Sequence, residues 1–240
     1  MFQLVPLPLL LILLAGIAYS VLHRKLTLDA ALVGAVLALL IFAGAGYTGV
    51  TMMSIFFVSG TIATSVGKRN KQQAGLQEMD KGRRNVSQVL ANAGVAALAG
   101  LLILLFPKIA APLQVAMAAS LAAACSDTLS SELGNVYGRS YVNILTFKPD
   151  RRGLDGVISW EGCLFGLAGS FLIAAVFGLG FGYHWAFWVV AVAGMAGNLL
   201  DSIFGASLQR KGYLTNDAVN FLNTLAAALL SYVFITLIGL

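Results

Sequence analysis

The chain has 240 residues, of which 59% are hydrophobic and 10% are charged, and its mean hydropathy is +0.86. A soluble domain carries about 25% charged residues, so this composition excludes a water-soluble globular protein and indicates that the bilayer is the solvent. The formal net charge of +5 is typical of basic cytoplasmic loops and does not indicate a nucleic-acid partner. Cys125 and Cys163 lie in or beside apolar stretches and predict neither a disulfide nor a zinc site.

A membrane-spanning helix needs about 20 predominantly apolar residues. Eight stretches reach or approach this length, and no polar stretch between them is long enough for a second domain. Residues 1–240 are therefore predicted to form one integral membrane domain, an all-α, polytopic transmembrane helical bundle of about eight helices. The third span is short enough to be tilted or partly re-entrant. The predicted spans are Leu4–Leu22, Leu28–Gly46, Val50–Val66, Val86–Phe106, Pro112–Ser131, Ile158–Phe181, Trp185–Ala206 and Asp217–Gly239.

Lys and Arg are distributed unevenly between the two sides of this predicted bundle. All of them except Lys108 fall in the loops after the first, third, fifth and seventh spans. Because cytoplasmic loops collect Lys and Arg, these loops are predicted to be cytoplasmic, with both termini on the non-cytoplasmic side. All ten acidic residues also lie in these loops or near the adjacent helix ends. The sequence thus predicts a cytoplasmic active face and leaves open whether the membrane is plasma or internal.

Basic and amide residues flank the start of the fourth predicted helix. The basic set is Lys68, Arg69, Arg83 and Arg84, and the amide set is Asn85, Gln88 and Asn92. The amides are spaced i, i+3 and i+7, which places them on one helix face. Arginine binds phosphate oxygens bidentately, so the combination indicates a phosphate site. Topogenic charge with hydrogen bonds between helices is the alternative.

Carboxylates occur within the apolar fifth and seventh helices, near their predicted cytoplasmic ends. The fifth carries Asp127, Ser131 and Glu132, and the seventh carries Asn198, Asp201 and Ser202. A carboxylate costs about 2.5–3.5 kcal/mol at the centre of a membrane helix and less near its end, so these call for a function. Mg²⁺ usually takes one or two carboxylates together with phosphate and water. An ion pair with a loop arginine is the alternative.

The eighth predicted helix opens with Asn216, Asp217 and Asn220. A helix N-terminus attracts anions. Capping by Thr215 or Asn216 is the alternative, but it does not explain Asn220 one turn deeper. The loop 148–156, which precedes the sixth predicted helix, combines both charge signs with glycines. It is interpreted either as a cover over a nucleotide or as a plain solvated loop.

Taken together, these motifs resemble a membrane family long catalogued as domain of unknown function 92, which includes plant phytyl phosphate kinase and transmembrane protein 19. The matching motifs lie within residues 68–224. They are Lys68-Arg69-Asn70, Gly82-Arg83-Arg84-Asn85-x-x-Gln88-Val89-Leu90-Ala91-Asn92, Ser126-Asp127-Thr128-x-x-Ser131-Glu132, Gly153-x-Asp155-Gly156-x-x-Ser159, Gly197-x-x-x-Asp201-Ser202-x-x-Gly205-Ala206 and Asn216-Asp217-x-x-Asn220.

The resemblance implies a membrane-embedded kinase for prenyl phosphates. Its partners would be a nucleoside triphosphate, with CTP as the implied donor, and phytyl phosphate or a related isoprenoid monophosphate, which becomes the diphosphate. In plants this reaction salvages phytol for tocopherol. Membrane lipid is a further expected partner, whereas nucleic acid is not expected to bind. The sequence leaves the oligomeric state open and is compatible with a homodimer.

Phosphoryl transfer depends mainly on positioning and electrostatic stabilisation, and this principle assigns the expected roles. Asp127, Asp201 and Arg84 are expected to be catalytic. Mg²⁺ is the expected cofactor, with ligands drawn from Asp127, Glu132, Asp201 and Asp217. The residues expected to bind the phosphates and orient the substrates are Lys68, Arg69, Arg83, Asn85, Gln88, Asn92, Ser131, Asn198, Ser202, Asn216 and Asn220.

Two other function classes fit the same residues. A cytidylyltransferase that forms a CDP-lipid would use similar metal and phosphate groups but would release pyrophosphate. A transporter or flippase of a phosphorylated lipid or small anion also places carboxylates and glycine-rich helices in the membrane.

Overall fold

A computed structural model describes residues 6–73, 75 and 83–238, apart from the side chains of Asn70 and Gln73. The outer ends of the first and last predicted spans and Gly82 of the second motif lie outside the described residues. The helices are α1 (Leu7–Leu22), α2 (Leu28–Ser65), α3 (Lys68–Gln73), α4 (Val86–Leu105), α5 (Ala110–Tyr137), α6 (Trp160–Phe181), α7 (Trp185–Phe204) and α8 (Asn216–Leu237). Two short strands, β1 (Tyr141–Asn143) and β2 (Val157–Ser159), connect α5 to α6.

The helix α2 is a hairpin. A straight helix of 38 residues would be about 57 Å long, yet Lys25 Nζ before it donates to Ser65 Oγ at its end over 3.3 Å. The chain reverses at Gly46, whose φ of 58° and ψ of −148° are open to glycine because it lacks a Cβ. The two arms of α2 correspond to the second and third predicted spans.

The expectation of a polytopic helical membrane protein is confirmed. Among the described residues, six helices are long and apolar enough to cross a bilayer, with the α2 hairpin counted once, and α1 is a shorter apolar helix. The π-helical turn Gly205–Gln209 extends α7. Counting the two arms of α2 separately and adding α1 agrees with the predicted number of about eight helices.

The helix α5 runs through the centre of the bundle. Every residue from Val115 to Ser126 is buried, and α5 packs against α2, α4, α6, α7 and α8. Small residues permit this close approach, as they do in other membrane bundles. For example, a Cβ on Gly169 of α6 would lie only 3.0 Å from the Cys125 carbonyl oxygen. Asp127 follows this buried stretch and is thereby brought to the middle of one end of the bundle.

That end carries residues 23–27, 66–73, 83–85, 138–159 and 210–215, and we call it the basic face. Its connections contact one another: Arg84 N donates to Lys25 O over 2.9 Å and Thr27 N donates to Arg84 O over 3.1 Å. The strands β1 and β2 pair antiparallel with Tyr141 opposite Ser159, a small hairpin that the sequence analysis treated as loop. The chain between these strands crosses the basic face and packs on α7.

Candidate functional site

A polar cavity of about 300 Å³ opens at the basic face. Most of the sequence-predicted site residues line it, and they come from four helices or the residues just before them. The α4 side contributes Arg84, Gln88 and Asn92, α5 contributes Asp127, Ser131 and Glu132, α7 contributes Asn198, Asp201 and Ser202, and α8 contributes Asn216 and Asn220. Loop residues 153–159 complete the wall.

The carboxyl groups of Asp127 and Asp201 interact directly across the contact between α5 and α7. Arg84 and Glu132 are also near enough to act on the charge of Asp127. Two adjacent ionised carboxylates repel each other, so the pair is favourable with a shared proton or with a cation between the groups. The pair could therefore hold a divalent cation together with ligands from a substrate or water.

Asn223 holds one member of this pair in position. Its Nδ2 donates to Asp201 Oδ2 over 2.7 Å, and the side chain is fully buried in α8. The sequence analysis missed Asn223, although it continues the spacing of Asn216 and Asn220 at i, i+4 and i+7. Because Thr215 Oγ1 caps α8 by accepting from Ala218 N, Asn216 is not needed as the cap.

Glu132 is already paired at the edge of the cavity. Lys71 Nζ lies 2.5 Å from Glu132 Oε2, and Thr64 Oγ1 donates to Glu132 Oε1 over 3.1 Å. Lys71 is itself buried and also donates to the carbonyls of Ala63 and Thr64. With both its oxygens engaged, Glu132 serves here to fix α3 and the end of α2 to α5.

Asp217 does not reach the cavity. Its carboxylate accepts a hydrogen bond from Ser87 Oγ, which joins the starts of α4 and α8. Within the described residues, no group of three His, Cys, Asp or Glu side chains is arranged to hold a metal. The predicted set of four carboxylates is thus not assembled, whereas the pair Asp127 and Asp201 fits Mg²⁺, which also takes phosphate and water.

The predicted amide set, Asn85, Gln88 and Asn92, has two different roles in the structure. Asn85 Oδ1 accepts from Gln88 N, and Gln88 Oε1 accepts from Asn85 N, both over 3.0 Å. This reciprocal capping box satisfies amide groups at the start of α4 and accounts for Asn85, which does not line the cavity. Asn92 lies deeper and is buried, with Nδ2 donating to Gln88 O.

Of the four predicted basic residues, one lines the cavity and three do not. Arg84 lines the cavity, and its guanidinium carbon lies 5.5 Å from the centre of the Phe56 ring. A Cβ at Gly60 would lie 2.9 Å from Arg84 Nη2, so glycine there leaves room for the guanidinium. Arg83 turns away and its Nε donates to Leu26 O. The remaining two, Lys68 and Arg69, are exposed on α3 and do not line the cavity.

The loop between β1 and β2 supplies a further carboxylate, Asp155, which acts on the charge of Asp201. Partial burial raises the pKa of Asp155, and Arg210 opposes the shift. Arg210 holds this loop against the end of α7, because its Nε donates to Asp155 O and its Nη1 lies 2.8 Å from Asp150 Oδ2. A Cβ at Gly156 would overlap Ala206 and the Ser202 carbonyl oxygen, so glycine allows this packing. The sequence analysis named the loop but gave Asp155 no role.

Comparisons with known proteins give a consistent set of relatives. The family described as integral membrane protein DUF92 matches residues 10–228. An uncharacterized membrane protein of Synechocystis is 34% identical over 80% of this chain and 76% of its own length. One of Methanocaldococcus jannaschii is 34% identical over 77% and 75%. Protein VTE6, chloroplastic, of Arabidopsis thaliana is 36% identical over 74% of this chain and 56% of its own length. No solved structure matches.

Proposed function

Because the chain belongs to the DUF92 integral membrane family, we propose that it is a prenyl phosphate kinase. It transfers the terminal phosphoryl group of a nucleoside triphosphate, CTP in the first instance, to phytyl phosphate or a related isoprenoid monophosphate. The products are the isoprenoid diphosphate and the nucleoside diphosphate. The observation that carries this proposal is the convergence of the Asp127–Asp201 pair, Arg84 and several amides in one cavity at the membrane edge.

The carboxylate pair supports the donor side of the reaction. Asp127 and Asp201 would hold Mg²⁺, and Asn223 would keep the Asp201 carboxylate oriented toward it. When bound, the ion would neutralise charge on the donor phosphates, the usual role of Mg²⁺ in phosphoryl transfer. Asp155 is near enough to contribute charge from the loop side.

The acceptor side needs positive charge and orientation more than it needs a base. An oxygen of the acceptor phosphate attacks the terminal phosphorus of the donor, and the bond to the nucleoside diphosphate breaks. Because this oxygen is already anionic, no general base has to remove a proton. Arg84 would neutralise phosphate charge, and the amides that line the cavity would orient the two substrates. These amides belong to Gln88, Asn92, Asn198, Asn216 and Asn220.

The position of the cavity favours an enzyme over a transporter. All ten acidic residues of the sequence lie in the basic loops or near the helix ends beside them. Alternating access would require a polar route toward the opposite face as well, and Lys108 is the only Lys or Arg on that side. By the distribution of Lys and Arg we assign the basic face to the cytoplasm, where the nucleotide would bind.

The test uses the purified protein in detergent with Mg²⁺, γ-labelled CTP and phytyl phosphate, repeated with ATP, GTP and UTP. We expect labelled phytyl diphosphate and CDP. Asp127→Asn and Asp201→Asn should abolish the reaction, whereas Asp29→Asn, a change to an exposed carboxylate of α2, should not. Pyrophosphate with a CDP-lipid would instead identify a cytidylyltransferase. No turnover by the folded protein with any donor would contradict the kinase, and flux into sealed vesicles would then identify a transporter.

A further inference from the structure

A second cavity, of about 360 Å³, lies beside the polar one. Its walls are formed by α1, both arms of α2 and the first turns of α4. Most of its lining is apolar, with Ile17, Ala38, Met53 and Phe57 as examples from three different helical segments. Ligand pockets in proteins commonly have volumes of about 300–1,000 Å³, so this cavity has the size of a binding site.

The two cavities meet at a shared polar boundary. Arg84, Gln88 and Asn92 line both of them. A ligand that occupies both cavities would therefore have a polar group at these three side chains and an apolar part beyond them. The guanidinium of Arg84 is the charged group at this junction, and a phosphate is the anion that arginine binds bidentately.

The apolar cavity extends along the helices. On α1 its lining runs from Ile12 to Ser20, and on the second arm of α2 it runs from Val50 to Val58. Each of these stretches covers about 12 Å at 1.5 Å per residue. The cavity therefore lies roughly parallel to the membrane-crossing helices, as an extended hydrocarbon chain in a bilayer would.

We propose that the apolar cavity binds the hydrocarbon chain of the phosphorylated acceptor, with its phosphate at Arg84 facing the Asp127–Asp201 pair. This inference rests on the proposed function and adds the site that selects the acceptor by its chain. The occupant is a phosphorylated isoprenoid rather than a bulk bilayer lipid, because the polar end of the cavity opens into the site with the carboxylate pair. Arg84 complements the charge of the head, and the α1–α2 wall complements the chain.

Two glycines allow the cavity to be filled without disturbing the packing. A Cβ at Gly16 would meet no other atom within 4 Å, and a Cβ at Gly34 would meet only Val89 Cγ1 at 3.8 Å. Both glycines line the apolar cavity and not the polar one. Gly94 of α4 has the same open surroundings and lines neither cavity, so it provides a matched control.

The first experiment measures kcat and KM of the full-length protein with geranyl, farnesyl, geranylgeranyl and phytyl phosphate at a saturating donor concentration. We expect Gly34→Leu and Gly16→Leu to raise KM for phytyl phosphate about tenfold or more, the loss expected when a few buried methylene groups are displaced. KM for the nucleotide donor should change little in these two variants, and Gly94→Leu should leave KM for phytyl phosphate unchanged. An unchanged KM for phytyl phosphate in both cavity variants, or an equal rise in Gly94→Leu, would overturn the inference, whereas wild-type turnover would leave the proposed function intact.

The second experiment does not depend on turnover. A phytyl phosphate analogue with a photoreactive group at the chain end is crosslinked to the wild-type protein, and the labelled residues are mapped by mass spectrometry. Labelling of α1 and the arms of α2, competed by phytyl phosphate and reduced by Gly34→Leu, would support the inference even if the nucleotide chemistry were wrong. Labelling elsewhere, or competition by phosphatidylglycerol alone, would overturn it and indicate a bilayer-lipid site.

Discussion

Asn223 Nδ2 donates a 2.7 Å hydrogen bond to the Asp201 carboxylate, and this contact places a fully buried amide of α8 behind the carboxylate pair. The amide fixes one oxygen of Asp201, the carboxylate that also interacts with Asp127. Residues that orient metal-binding carboxylates in this way typically affect metal affinity or activity about 10–100-fold.

We therefore expect Asn223→Leu to reduce turnover by about 10–100-fold and to raise the Mg²⁺ concentration needed for half-maximal rate. The measurement is a Mg²⁺ titration of activity with wild type and variant. Ser231→Ala is the matched control, because Ser231 is also buried in α8 but donates only to the Ala228 carbonyl. An unchanged Mg²⁺ dependence in Asn223→Leu would show that Asp201 does not depend on the amide for metal binding.

The carboxylate pair should reduce stability when no cation is present. Replacing Asp127 with Asn removes the need for a proton shared between the two carboxyl groups, so we expect the melting temperature at mildly alkaline pH without Mg²⁺ to rise. A gain of about 1 kcal/mol would correspond to about 2–4 °C in a chain of this size. Addition of Mg²⁺ and nucleotide should stabilise wild type but not the variant. The test is thermal unfolding of both proteins, once in EDTA and once with Mg²⁺ and nucleotide. Equal stabilisation of wild type and variant would contradict a metal at Asp127.

The ion pair between Lys71 and Glu132 should show strong coupling. Their side chains are 6% and 23% exposed, so Lys71→Met would leave a partly buried carboxylate without its cation at a cost of about 1–3 kcal/mol. We expect the double variant Lys71→Met/Glu132→Gln to recover much of this loss, because no unpaired charge remains. A double-mutant cycle on thermal stability measures the coupling. Additive effects of the two changes would show that the pair does not form in solution.

Arg210 should hold the loop between β1 and β2 over the polar cavity. We expect Arg210→Gln to raise KM for the nucleotide by about three- to tenfold, the effect of losing a partly exposed ion pair and one charged hydrogen bond. Hydrogen exchange in residues 144–156 should increase at the same time. Lys211→Gln removes the same charge from the neighbouring exposed position and should leave both measurements unchanged. Unaltered exchange in Arg210→Gln would mean that other contacts hold the loop.

The same loop should respond to acid. The Arg151 amide and then Arg210 hold the pKa of Asp150 below its ordinary value, so the contact is present at neutral pH. A carboxylate with a lowered folded-state pKa contributes stability above its unfolded-state pKa and loses it as the pH falls through the folded-state pKa. We therefore expect exchange in residues 144–156 to increase below about pH 4 in wild type, and this acid step to be weaker in Asp150→Asn. An identical step in the variant would assign it to other groups.

The sequence by itself determined the class of the protein and the helix ends at which the polar residues lie. The apolar stretches are long enough to cross a bilayer, and the charges are confined to alternate loops. Such stretches must form helices in a membrane bundle, because the bilayer provides no hydrogen-bond partner for exposed backbone groups. Periodicity also placed Asp127, Asp201 and Asn220 near one end of their helices. These expectations depend on local spacing alone, and the structure agrees with them.

Only the tertiary structure decided which of these residues meet. Helical periodicity defines the face on which a side chain lies but not the helix that the face packs against. Asn85 was therefore assigned to the same stripe as Asn92, whereas it caps α4, and Asp217 was grouped with Asp127, whereas it bonds to Ser87. Two further features also depend on packing between distant segments, which local spacing does not determine. They are the contact between Asn223 and Asp201 and the reversal at Gly46.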